Sequence, residues 1–300
     1  MRSVHAALLA LLLAGTANAA PRFVTAIPFD LCRGLICMHA KMDGKPATLI
    51  LDTGDANDFV STEFAKSCGW RLKPYIGSDG KAVPGIFDAG EHAIGLGRLV
   101  APAHFLTTAA ADLGTKGVYD GNLVYRFFKD RALQIDYPRR ELRVSDVLTG
   151  AARQSGAAGR LQIVNFHKWG PPIVVGGPFT INGRAVRAQI DTAYTGTMLI
   201  YSAYIAPLGL HAPASKESRE FFPFTDGGVF MLKGRARSEG FAGRILDARA
   251  PNVYFPSPGV HEPENPFEAT VGNALFAHSV VVLDFHDMTI DVSPERHLHG

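Results

Sequence analysis

The chain has 300 residues, 30 Lys and Arg against 28 Asp and Glu, and 47% hydrophobic residues. That length suits one large or two medium domains, and the apolar content suffices for a globular core. The near-balanced charge argues against a nucleic-acid partner, and no apolar run reaches the length of about 18 residues that a membrane-spanning helix needs.

In chain order, Arg2 precedes an apolar run from Ala6 to Ala14 and an A-x-A pattern at Ala17-Asn18-Ala19. This reads as a secretory signal peptide over residues 1–20. The run is short for a bilayer span, and no Cys follows it to carry a lipid. The mature chain is therefore expected to be exported, periplasmic or extracellular, without a stable membrane anchor. Cys32 and Cys37 flank the turn Arg33-Gly34-Leu35-Ile36. Two readings stay open for them: a small disulfide, or buried apolar side chains. Cys68 is left over.

Asp43-Gly44 then separates two apolar runs, a strong hairpin signal. The second run, Ala47–Leu51, ends in Asp52-Thr53-Gly54. A short helix is expected over Thr62–Cys68, and a Gly-rich turn follows at Gly77-Ser78-Asp79-Gly80. Gly121-Asn122-Leu123 opens another apolar run with a short helix expected at Leu123–Phe128, and Asp136-Tyr137 closes a last strand. The small, polar stretch from 150 to 160 reads as a linker between an N-terminal lobe, 21–149, and a C-terminal lobe, 161–300.

The second half repeats these landmarks in order. Asn182-Gly183 is the turn, and Ala185–Ile190 ends in Asp191-Thr192-Ala193. Helices are expected at Ser202–Leu208 and Ala274–Ala277. The Gly-rich turn is Thr225-Asp226-Gly227-Gly228, the Gly-Asn pair is Gly272-Asn273, and the Asp-aromatic pair is Asp284-Phe285. Each Asp of the near-repeated tripeptide follows its turn Gly by eight residues. Matching landmarks in one order indicate internal duplication. Short apolar runs punctuated by Gly, Pro, Asn and Asp indicate a mostly β chain.

Each half thus delivers one carboxylate from the second strand of a hairpin into a tight turn. Two carboxylates a few ångströms apart do not both ionise readily, so one keeps a proton while the other acts as a base. That is a setting for hydrolysis by an activated water. A single Asp in such a place would read as an ordinary turn residue. The duplication is what pairs Asp52 with Asp191.

On these residues the chain resembles the pepsin-like aspartic proteases, and looks like one built from two retropepsin-like lobes, of the bacterial kind. The resemblance covers essentially the whole mature chain. It implies an all-β, two-lobed fold with a few short helices and a cleft between the lobes. It implies catalytic Asp52 and Asp191, a peptide or protein substrate, no cofactor and no metal; a monomer is expected. In the family the Thr of each tripeptide bonds across to the other loop, a role that falls to Thr53 and Thr192. The Gly permits close backbone approach and gives its N–H to the carboxylate, as Gly54 would. Ala193 keeps that N–H but adds a methyl facing the partner loop. Asp55 and Tyr194 stand where the family commonly has Ser or Ala. The turns at Gly77–Gly80 and Asp226–Gly228 are either flaps over the substrate or ordinary hairpin turns. Two functions remain open: an aspartic endopeptidase, or a non-catalytic peptide- or protein-binding protein of the same fold.

Overall fold

The computed structural model describes residues 23–110, 117–145, 158–165, 172–214, 218–222, 229–247, 251–258 and 267–294. The signal-peptide stretch lies outside these residues, as does most of the expected linker. The last part of that linker, from Ala158, is instead the start of strand Ala158–Asn165. It is held by antiparallel pairing with Thr289–Pro294 and Pro172–Ile181, so tertiary pairing overrides its loop-like composition.

Both turn pairs form as expected. Asp43 and Gly44 have φ of 48° and 83°, and Asn182 and Gly183 have φ of 52° and 79°. Two consecutive left-handed residues match the right-handed twist of hairpin strands. They join Leu35–Met42 to Lys45–Asp52 and Pro172–Ile181 to Arg184–Ile190. The strands that follow run in the same order in each lobe. Asp58–Ser61 lies parallel to Leu99–Thr108, which pairs with Ala82–Leu96, which in turn pairs with Lys73–Ile76. Met198–Ile200, Asn252–Pro256, Val229–Arg235 and Arg219–Phe222 repeat that set.

The lobes meet in a continuous antiparallel run of strands. Phe23–Cys32 pairs with Glu141–Ser145, then Ala132–Asp136, Ser279–Asp284, Thr289–Pro294 and Ala158–Asn165 follow. Its centre is symmetric: Asp136 faces Val280 and Asp284 faces Ala132. One apolar core runs through both halves, from Ile27 and Leu49 to Val271 and Val292.

The short helices are trimmed by their neighbours. Thr62–Ser67 is α-helical, capped by Ser61, whose Oγ accepts the Phe64 N–H at 3.1 Å. It ends at Gly69 (φ 77°), with Trp70 N–H donating to Ala65 O. In the second lobe only Ser202–Tyr204 winds, as a 3-10 turn. Pro207 has no N–H to continue it, yet the closing bond recurs, Leu210 N–H to Ile205 O. Of the helix expected at Leu123–Phe128, Leu123 and Val124 belong to strand Gly121–Val124, and only Tyr125–Phe128 turns. In the second lobe, the corresponding turn is Asn273–Phe276.

Candidate active site

Asp52 ends one hairpin strand and Asp191 directly follows its counterpart, and the two carboxyls lie close together between the halves. The Thr side chains weave the two loops together. Thr53 Oγ1 donates to Ile190 O at 2.7 Å and accepts Thr192 N–H at 3.1 Å. Thr192 Oγ1 donates to Leu51 O at 2.8 Å and accepts Thr53 N–H at 3.0 Å. Both Thr side chains are buried, where each bond is stronger and its loss more costly than in water. Gln189 adds a bond, donating from Nε2 to Gly54 O at 3.0 Å.

Each carboxylate is cradled by its own loop. Asp52 Oδ1 accepts the Gly54 and Asp55 N–H groups at 2.9 and 3.0 Å. Asp191 Oδ1 accepts those of Ala193 and Tyr194 at 2.8 and 3.1 Å. Gly54 is required by contact: a Cβ there would sit 2.5 Å from Asp191 Oδ1 and 2.6 Å from Oδ2. The pseudo-equivalent methyl of Ala193 is accommodated. It packs against the apolar cluster of Leu35, Cys37 and Ile50, beside Cys32 and Tyr119. Ala193 is also absent from the positive-φ residues, so it keeps its N–H bond without backbone strain.

The other departures from the family pattern have partners of their own. Tyr194 is 1% exposed and inserts into a cluster with Phe222, Met231 and Tyr254. Its ring lies 5.3 Å from that of Phe222. Asp55 Oδ1 accepts Ala56 and Asn57 N–H at 2.6 and 3.1 Å, and Asp58 Oδ1 accepts Val124 N–H at 2.7 Å. Both acids therefore brace the loop.

Burial dominates the electrostatics. It pushes Asp52 well above the ordinary carboxyl value, helped by the charges of Asp191 and Asp55 and opposed by donation from Asn122 and Gly54. Burial pushes Asp191 up to about 6, against the Ala193 and Tyr194 N–H groups, with Asp55 adding to the rise. Burial likewise raises Asp55, which Asn57, Ala56 and Arg126 oppose, and takes Asp58 to about 7.

These shifts carry a stability prediction. A folded-state value above the unfolded one means that the folded form binds more protons between the two. Its contribution is complete below the ordinary 3.8 and is lost as pH rises through the folded value. Thermal melts are expected to fall by at least about 5 °C between about pH 4 and pH 7.5. In Asp58→Asn, whose amide oxygen can still accept Val124 N–H, the fall should be smaller. A melting temperature that climbs over this range would contradict the burial account.

The turn Gly77–Gly80 is the exposed tip of the hairpin formed by Lys73–Ile76 and Ala82–Leu96, closed by Gly77 N–H to Lys81 O at 2.8 Å. Ser78 and Asp79 sit at that tip, with Asp79 Oδ1 accepting Lys81 N–H. Asp226, Gly227 and Gly228 fall outside the described residues, between the paired strands Arg219–Phe222 and Val229–Arg235. Cys32 and Cys37 are joined as a disulfide, and Cys68 is free.

The Gly-Asn landmark needs correction. Asp52 aligns with Val124 in the parallel pairing of the first lobe, and Ile50 with Asn122. In the second lobe Gln189 aligns with Thr270 and Ile190 with Val271. The structural counterpart of Asn122 is therefore Thr270, while Gly272-Asn273 matches Val124-Tyr125. The two glycines answer different contacts. A Cβ at Gly121 would strike Phe59 O, and one at Gly272 would strike Tyr194 O. Asn122 is also a site residue that the tripeptide pattern did not single out: its Nδ2 donates to Asp52 Oδ2 at 3.1 Å. Gln189 was missed as well, since it reaches across the lobes from inside a strand.

This is the two-lobed pepsin-like fold. No family model matches the chain, and no curated protein matches it. Among solved structures it is similar to the aspartic proteinase from Irpex lacteus, with a TM-score of 0.50 and 11% identity over 92% of this chain and 98% of that one. The likeness concerns the fold, and it carries nothing about a bacterial origin.

Proposed function

We propose that the protein is an exported aspartic endopeptidase that uses Asp52 and Asp191 to activate water. The observation that carries this reading is the pair of carboxyls, Asp52 buried and Asp191 partly buried, on loops locked by reciprocal Thr53 and Thr192 bonds. A buried pair favours sharing one proton. The ionised member takes a proton from water as it attacks the peptide carbonyl, and the protonated member donates to the carbonyl oxygen. The amine then leaves as the protonated member gives its proton to nitrogen and one hydroxyl of the tetrahedral carbon returns a proton to the ionised member, so the pair again holds one proton. On this reading the substrate is an extended peptide, with the exposed hairpin tipped by Gly77–Gly80 as a flap over it.

The binding-only reading drew on Ala193, Asp55 and Tyr194. Against it stand the Ala193 N–H, which still reaches Asp191, and the Tyr194 ring, which packs with Phe222, Met231 and Tyr254.

The test is a pH–rate profile on a denatured protein mixture. The reaction needs one proton on the pair, so the profile is expected to be a bell. Both carboxyls are raised, Asp191 to about 6, so both limbs are expected above the ordinary carboxyl range. A rate that keeps rising beyond about pH 8 and disappears with a chelator would instead indicate metal-assisted hydrolysis.

A further inference from the structure

The pseudo-twofold relation of the lobes is broken at a polar side chain that touches the dyad itself. Strand Gly121–Val124 is wholly buried and runs parallel to the strand that ends in Asp52. Gly121 lacks a Cβ where Phe59 O and Val60 press against it. That close approach lets Phe59 N–H donate to Asn122 Oδ1 at 2.5 Å. The amide orientation is thereby set, because an N–H can only face the oxygen. Its NH₂ is left pointing at Asp52 Oδ2, 3.1 Å away.

Among the described residues nothing similar serves Asp191. The matched Thr270 bonds to Tyr201 Oη at 2.8 Å and to Gln189 Oε1 at 3.4 Å. Gln189 in turn supports the Asp52 loop through Gly54 O. Among the described residues Asp52 accepts three N–H donors and Asp191 two.

We propose that Asn122 is a positioning residue that makes the two carboxylates inequivalent: clamped by Phe59, it holds Asp52 in one orientation and biases the shared proton toward Asp191, relative to the same pair without it. The proposal rests on the endopeptidase reading for its catalytic meaning. Donation to a carboxylate favours its ionised form, so the amide acts with the Gly54 N–H and against the burial of the site and the charges of Asp191 and Asp55. Arg126 sits by Asp55, and the neutral phenol of Tyr119, with Arg33 beside it, also lies near Asp52.

The experiment is a carbon-13 carboxyl titration of the Asp side chains in the mature protein, without substrate, for wild type, Asn122→Leu and Thr270→Val. Leucine matches the amide in size and carries no donor or charge. Asn122→Leu is expected to move the Asp52 midpoint up by about one pH unit and to lower kcat about ten- to a hundredfold with KM little changed. Thr270→Val should leave the Asp52 midpoint within a few tenths of a unit. If Asn122→Leu does not fold, Asn122→Thr gives the same reading, because its hydroxyl is one bond too short to reach Asp52. An unmoved Asp52 midpoint in the folded variant, or an equal shift in Thr270→Val, overturns the proposal. A shifted midpoint in a protein that cleaves no peptide supports the positioning role and sinks the peptidase reading, so the two failures are distinct.

Discussion

Asp52→Asn and Asp191→Asn are each expected to lower peptide cleavage by about a thousandfold or more, and the double variant should be little worse than either. The reason is that neither carboxyl acts alone. An amide at either place can still accept the loop N–H groups, so Gly54, Asp55, Ala193 and Tyr194 keep their partners. What is lost is the titratable oxygen, the shared proton and, at Asp52, the acceptor of the Asn122 NH₂. Folding should therefore survive, and melting temperature at acid pH serves as the control. Near wild-type cleavage in either single variant would remove the dyad from the mechanism.

The second large effect is expected at Gly54. Its missing side chain leaves the space that the Asp191 carboxyl occupies. Gly54→Ala must push the Asp191 carboxyl or the Asp52 loop aside, in a site where the Thr cross-bonds resist movement. A displacement of about 1 Å of a reacting group can lower a rate about a hundredfold, and overpacking of this kind costs about 1–3 kcal/mol. Gly54→Ala is thus expected to lose at least about a hundredfold in kcat/KM and to melt several degrees lower. Ala193→Gly provides the contrast. Its methyl lies in the Leu35–Cys37–Ile50 cluster, so its removal should change the rate by less than about fivefold. Equal sensitivity at both positions would contradict the accommodated methyl.

The carboxylate pair was legible in the sequence because duplication repeats local chemistry. Hairpin turns at Asp43-Gly44 and Asn182-Gly183, and the helix stop before Trp70 and Leu210, depend on a few adjacent residues and so leave a local trace. What stayed hidden depends on contacts far apart in the chain. Gly121-Asn122 and Gly272-Asn273 look alike as letters, yet one answers a strand crossing at Phe59 and the other the backbone of Tyr194. Tyr194 reads as an obstruction from its position after Asp191. Only the packing of Phe222 and Tyr254 shows that its ring has somewhere else to go. Ala158–Arg160 reads as linker because Gly and Ala dominate it, and becomes strand because the sheet joining the lobes supplies partners on both sides.

The most direct measurement of the central claim is cleavage of a defined peptide mixture by the mature protein near pH 6 in ¹⁸O-labelled water, followed by mass spectrometry. Water activated between Asp52 and Asp191 predicts new C-termini that each carry one labelled oxygen, with the same peptides left intact by Asp191→Asn. Peptides that bind the wild-type protein yet remain uncut across the acid range would contradict the account.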